Sequence, residues 1–174
     1  MYIVIAGNGE VGYRIVEELM HVHNVVFIRA SGEESARFEQ WDAQIVDGSC
    51  TSPEILREAG VEQADFYIAT TSNDEKNIVS CVAARRIGAE HVVCFLQRRG
   101  FLSLDANDTD FADSLGIDAV IRPSSLLAEE IVRIVTVPGA LDVRSFAGGR
   151  IRLLRFEVEP NSKLDGVTLQ DAGL

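Results

Sequence analysis

The sequence predicts an α/β protein built on a doubly wound parallel sheet. Three observations predict it. Tyr2-Ile3-Val4-Ile5-Ala6 is an apolar strand running directly into Gly7-Asn8-Gly9-Glu10-Val11-Gly12, the G-x-G-x-x-G spacing of a strand-to-helix turn that cradles phosphates. Short apolar runs then alternate with amphipathic helical stretches through brief connections, as in a parallel sheet covered on both faces. The chain, at 174 residues and 47% hydrophobic, can bury one such core with a remainder, and is too short for a two-domain dehydrogenase. Together these are the marks of a Rossmann sheet, which binds ligand outside the carboxyl ends of its strands, where the winding reverses.

Taken in order, strands are expected near 2–6, 24–29, 44–46, 65–70, 92–96 and 118–121, with helices near 10–21, 33–41, 52–59, 74–87 and 105–115. Val11, Ile15, Val16 and Leu19 recur at helical spacing after the glycine turn, so the free N–H groups of that helix would face bound phosphates. Gly7 is expected to make the tight turn, Gly9 to admit a pyrophosphate and Gly12 to let the helix lie close on the strand. Ser52 with Pro53 opens one helix as cap and first-turn residue; Gly60, Gly88 and Gly116 follow helices where a left-handed cap is wanted.

After the sixth strand the pattern changes. Pro123-Ser124-Ser125 opens a crossover helix to about Val135 whose Leu126, Leu127, Ile131, Val132, Ile134 and Val135 make a wider apolar surface than one buried face requires. It either meets a second subunit or covers the sheet edge. Pro138-Gly139 breaks this helix, and Leu141 to Ala147 and Arg150 to Val158 read as strands of a hairpin turning at Gly148-Gly149. The expected organisation is therefore 1–137 as the nucleotide-binding domain, 138–160 as a linker hairpin, and 161–174 as the opening of a second module that the chain does not complete.

Composition excludes several classes. With 27 acids against 16 bases the net charge is −11, which repels polyanions, so nucleic acid is not an expected partner. No apolar run is long enough to insert in a membrane, there is no polybasic stripe, and Met1 leads straight into a core strand without signal-peptide character. Cys50, Cys81 and Cys94 show no paired metal spacing and fit a reducing, cytoplasmic setting. His21, His23 and His91 lack partners at catalytic or ligand spacing, so neither a catalytic nor a metal site is expected.

The remaining candidates lie at expected strand ends. Arg29 stands about 20 residues past the glycines, where an acid ordinarily binds ribose hydroxyls; it can pair with a phosphate, stack on adenine, or point to solvent. Asp47-Gly48-Ser49 could read an adenine edge, supply the missing ribose contact, or form an Asx turn. Thr70, Thr71, Ser72 and Asn77 belong to a polar loop and helix start suited to sugar and phosphate, and equally to helix capping. Arg98 is either a phosphate contact or a solvated loop arginine.

Several segments, in this order and spacing, resemble the nucleotide-binding regulatory subunits of potassium uptake systems, the TrkA/KTN group, called RCK domains in potassium channels. They are the glycine cradle, Asp47-Gly48-Ser49, Leu56-Arg57-Glu58-Ala59-Gly60 with Ala64-Asp65, Ala69 through Asn77, Pro123-Ser124-Ser125, Val137-Pro138-Gly139-Ala140-Leu141, and the tail from Val158 to Leu169. The resemblance covers the whole chain. It implies a cytoplasmic, non-enzymatic regulator that binds NAD(H) or ATP, ADP or AMP, forms dimers assembling into rings, and gates a membrane potassium transporter or channel. Family contacts carry over to Gly7, Gly9, Gly12 and Asp47, with Thr70 and Arg98 as further positions. Arg29 departs from the family pattern, which usually has an acid there, and admits NADP(H). An NAD(P)-dependent oxidoreductase fragment and a dimerising scaffold with a vestigial loop are the alternatives.

Overall fold

The computed structural model describes residues 1–30, 38–98, 109–136, 140–146, 151–158, 160, 162, 165–168 and 170–171. Six strands form one all-parallel sheet: β1 (Tyr2–Gly7), β2 (Asn24–Arg29), β3 (Gln44–Asp47), β4 (Phe66–Thr70), β5 (His91–Phe95) and β6 (Ala119–Ile121), in spatial order β3-β2-β1-β4-β5-β6. The order reverses between β1 and β4. That is the doubly wound Rossmann arrangement, and its switch point falls where Gly7 and Thr70 pair in register.

The strands are apolar on both faces because both are covered. Ile3, Ile5, Val25 and Phe27 face a core that includes Val16 of α1 (Glu10–Leu19) and Phe38. Val4, Ala6, Val26, Ile28, Tyr67, Val92 and Cys94 face the other core, which takes in Leu56 of α2 (Pro53–Glu58), Cys81 and Ala84 of α3 (Asp74–Ile87) and Ala112 of α4 (Thr109–Ser114). The alternation along β1 and β2 thus sends successive side chains to opposite layers.

Differences from expectation are local. Of the helix expected at 33–41, the described residues hold a single 3-10 turn, Phe38–Gln40; residues 31–37 lie outside the described set, as do 101–108, where the helix expected at 105–115 would begin. Gly60, Gly88 and Gly116 take positive φ of 69°, 139° and 74°, the conformation their capping role requires. Ser52 stands at the N-cap of α2 with Pro53 behind it, but its side chain makes no capping bond. α5 (Pro123–Thr136) and the antiparallel pair β7 (Ala140–Phe146) and β8 (Ile151–Phe156) follow the sheet; the turns expected at Pro138-Gly139 and Gly148-Gly149 lie outside the described residues. The chain divides into two compact units, Met1–Pro123 and Ser124–Leu174. Among the described residues no helix is long and apolar enough to cross a membrane.

Candidate functional site at the switch point

Three glycines build the cradle for different reasons. A Cβ on Gly7 or on Gly12 would stand 2.5 Å from Thr70 Oγ1, and each would come within 3.6 Å of the other glycine's Cα. Both positions are therefore closed to side chains by the protein itself. Neither has a positive φ, so close approach to Thr70, rather than a strained turn, is what demands glycine at Gly7. Gly9 differs. It is extended (φ −152°, ψ 172°), stands at the N-cap of α1, and a Cβ there would meet nothing within 4 Å. The space beside Gly9 is left open in front of the first turn of α1, the positive end of that helix's dipole.

An open groove lies at the carboxyl ends of the strands. Gly7 and Asn8 line it from the β1–α1 turn, Ile28 and Ala30 from β2, Gly48, Ser49 and Cys50 from the end of β3, and Thr71, Ser72, Asn73 and Lys76 from β4 and the start of α3. Two of its walls are tied together: Asn8 Oδ1 accepts from Ser72 N at 2.9 Å, and Asn8 Nδ2 donates to Ser72 Oγ at 3.3 Å. Lys76 is the one basic lining residue, and among the described residues no carboxylate pairs with it.

The other predicted residues divide by what they touch. Glu10 and Val11 are exposed on the first turn of α1. Thr70 is buried and donates from Oγ1 to Ala6 O at 3.1 Å, locking β4 to β1 beneath the cradle. Asn77 is fully buried and uses its whole bonding capacity on the framework. Its Oδ1 accepts from Thr71 N and Thr71 Oγ1, and its Nδ2 donates to Thr71 O and Phe95 O, at 2.6 to 2.9 Å. Arg98 points to α3, where it pairs with Glu75 and lies near Asp74. Backbone hydrogen bonding, and then Arg98, hold the Glu75 carboxyl below its usual range. Asp74 Oδ1 and Oδ2 accept from Gln97 N and Arg98 N, fastening the end of β5 to the start of α3.

Arg29 and Asp47, register partners at the ends of β2 and β3 and sequence neighbours of the lining residues Ile28, Ala30 and Gly48, form a forked ion pair. Arg29 does not point freely to solvent. Cys50, Lys76 and Asn73 line the groove without having stood among the predicted contacts; the one local signal for Lys76 was a cation in the first turn of a helix, where the dipole disfavours it.

The chain's residues 3–123 match the TrkA-N domain family. The chain belongs to the TrkA-N family. The Trk system potassium uptake protein TrkA homolog of Archaeoglobus fulgidus is 35% identical to this TrkA-N chain over 171 residues, 98% of the chain and 38% of the relative. The TrkA-N chain thus spans well under half the length of that relative. A solved structure of GsuK bound to ADP is 26% identical, with a TM-score of 0.57 over 77% of this chain and 33% of that one. The GsuK channel bound to NAD shares the fold at 17% identity, with a TM-score of 0.64 over 83% of this chain and 25% of that one.

Proposed function

We propose that this chain is the nucleotide-binding part of a regulatory subunit that gates a potassium transporter or channel. The observation that carries the reading is Gly9: a Cβ there would meet nothing within 4 Å, so open space stands at the start of α1, next in sequence to Gly7 and Asn8, which line a groove at the switch point. Residues of that turn would hold the phosphates of NAD(H) or of ATP, ADP or AMP, and the ends of β2 and β3 would meet the adenosine. Such a ligand supplies no chemistry here beyond its binding energy. The names of the Archaeoglobus relative and of the channel neighbours support the potassium role.

The mechanism is a shift of populations. The Asn8–Ser72 bonds join the two loops a nucleotide would touch, so a ligand that prefers one arrangement of those loops moves the balance toward it. In this reading 1–137 senses nucleotide, 138–160 links, and 161–174 opens a C-terminal module. The subunit works in the cytoplasm at the inner face of the membrane, as a homodimer assembled into a ring, and performs no catalysis.

The test is thermal unfolding with NAD, NADH, NADPH, ATP, ADP and AMP. A ligand at 100 times its dissociation constant adds about 2.7 kcal/mol. Gly9→Ala should cost the unliganded protein no more than about 1 kcal/mol, the loss expected of alanine at an N-cap, and abolish the ligand's effect. If none of the six nucleotides moves the wild-type transition, the reading fails.

A further inference from the structure

Arg29 and Asp47 stand next in sequence to Ile28, Ala30 and Gly48, which line the groove. An arginine at the end of the second strand ordinarily marks a site for a 2′-phosphate on the adenosine ribose, and an acid there marks the free hydroxyls. Here the arginine is not on offer. Arg29 Nε donates to Asp47 Oδ1 at 2.6 Å and Nη2 to Oδ2 at 3.2 Å, a forked, charge-assisted pair. Its guanidinium carbon lies 4.9 Å from the centroid of the Phe38 ring, and Phe38 is itself packed against Tyr13, Phe27 and Trp41. The Arg29 side chain is 13% exposed, while that of Asp47 is 52% exposed. Of the pair, what faces the solvent is a carboxylate whose oxygens each retain acceptor capacity.

We infer that Asp47 is the acceptor for the ribose hydroxyls of the bound nucleotide, that Arg29 is its positioning residue, and that the site selects an unphosphorylated ribose over a 2′-phosphorylated one. The inference rests on the nucleotide reading of the groove. The acid has moved one strand over, from the end of β2 to the end of β3, a displacement of roughly 4.8 Å across the sheet. The register pair Arg29↔Asp47 keeps it on the same face. A 2′-phosphate would meet the carboxylate as a like charge; to reach Arg29 it would have to displace Asp47 from the fork and draw the guanidinium off Phe38. Hydroxyls instead donate to a carboxylate that Arg29 already holds in place.

Isothermal titration of the full 174-residue chain with AMP and with adenosine 2′,5′-bisphosphate tests this, because the two probes differ only at the 2′ position. The wild type should bind AMP about tenfold or more tightly than the bisphosphate. Asp47→Asn should weaken AMP by about tenfold and strengthen the bisphosphate, collapsing or inverting the ratio. Arg29→Gln should weaken AMP less and leave the bisphosphate excluded. Should Asp47→Asn fail to fold with Arg29 unpaired, the double variant Arg29→Gln/Asp47→Asn removes both charges and should bind the two probes within about threefold of each other.

A wild type that prefers the bisphosphate overturns the inference. So does an Asp47→Asn chain in which both affinities fall by one factor, as a merely structural pair would require. If neither AMP nor NAD binds at all, the nucleotide reading itself has failed, a result distinct from binding without discrimination.

Discussion

At the residue scale, one hydroxyl explains two glycines. Thr70 Oγ1 donates to Ala6 O and occupies the space a methyl at Gly7 or Gly12 would need. Gly12→Ala should cost about 1–3 kcal/mol by overpacking, measured by urea unfolding, and much of that cost should vanish in a Thr70→Ala background, giving a favourable coupling in a double-mutant cycle. Equal costs in both backgrounds would mean that something other than Thr70 excludes the methyl. Tyr67 presents the opposite case. It is fully buried, its hydroxyl has no hydrogen-bond partner among the described residues, and the nearby Ser80 directs its own hydrogen to Asn77 O at 3.0 Å. Burial pushes the Tyr67 hydroxyl well above its usual pKa, so the group stays neutral. Tyr67→Phe should leave stability unchanged or raise it by about 1 kcal/mol, since it removes an unsatisfied polar atom and little else. A loss beyond about 1 kcal/mol would reveal a partner for the hydroxyl.

At the element scale, the carboxyl edge is assembled by side chains of α3. Asn77 fastens the β4–α3 turn to the end of β5, while Asp74 holds the two amides beyond that strand. Asn77→Asp keeps the size but removes both donors and places a carboxylate against two carbonyl oxygens. It should cost about 3 kcal/mol near neutral pH. Burial among acceptors raises the folded-state pKa of the new acid above its unfolded value. The folded state then binds the extra proton, so the deficit shrinks as pH falls and is full above the folded pKa. Chemical denaturation from pH 4 to pH 8 should show that trend relative to wild type, and a pH-independent deficit would rule it out.

At the scale of the whole molecule, the proposed function requires a protein of net charge −11 to meet an anion through a local arrangement: one helix start, the open space at Gly9, and Lys76. The same scale accounts for the apolar residues of α5. Leu126, Leu127, Ile131, Val132, Ile134 and Val135 are between 52% and 69% exposed, more than one helix ordinarily leaves to water. In the proposed homodimer this surface meets a second copy. Sedimentation velocity at micromolar concentration should find a dimer, and Ile131→Glu with Val135→Glu, one turn apart on the helix, should yield monomers whose thermal response to nucleotide survives. A wild type that sediments as a monomer throughout that range would remove the dimer from the proposal.

The doubly wound sheet, the positions of its six strands and the caps at Gly60, Gly88 and Gly116 were all legible in the sequence. Each rests on periodicity or on a residue's own backbone preference, and both act over a few neighbouring residues. The partners of those residues were not legible. Thr70 meets Ala6 and Asn8 meets Ser72 across 64 residues, and Arg29 meets Asp47 across 18. Only strand order and register bring them together, by placing β4 beside β1 and β3 beside β2. From the sequence alone Arg29 was left to a phosphate, to adenine or to solvent, and Asp47 was a separate candidate. The fold makes them one neutral pair with the carboxylate outward, because two side chains at matched ends of neighbouring parallel strands lie on the same face within reach of a single fork.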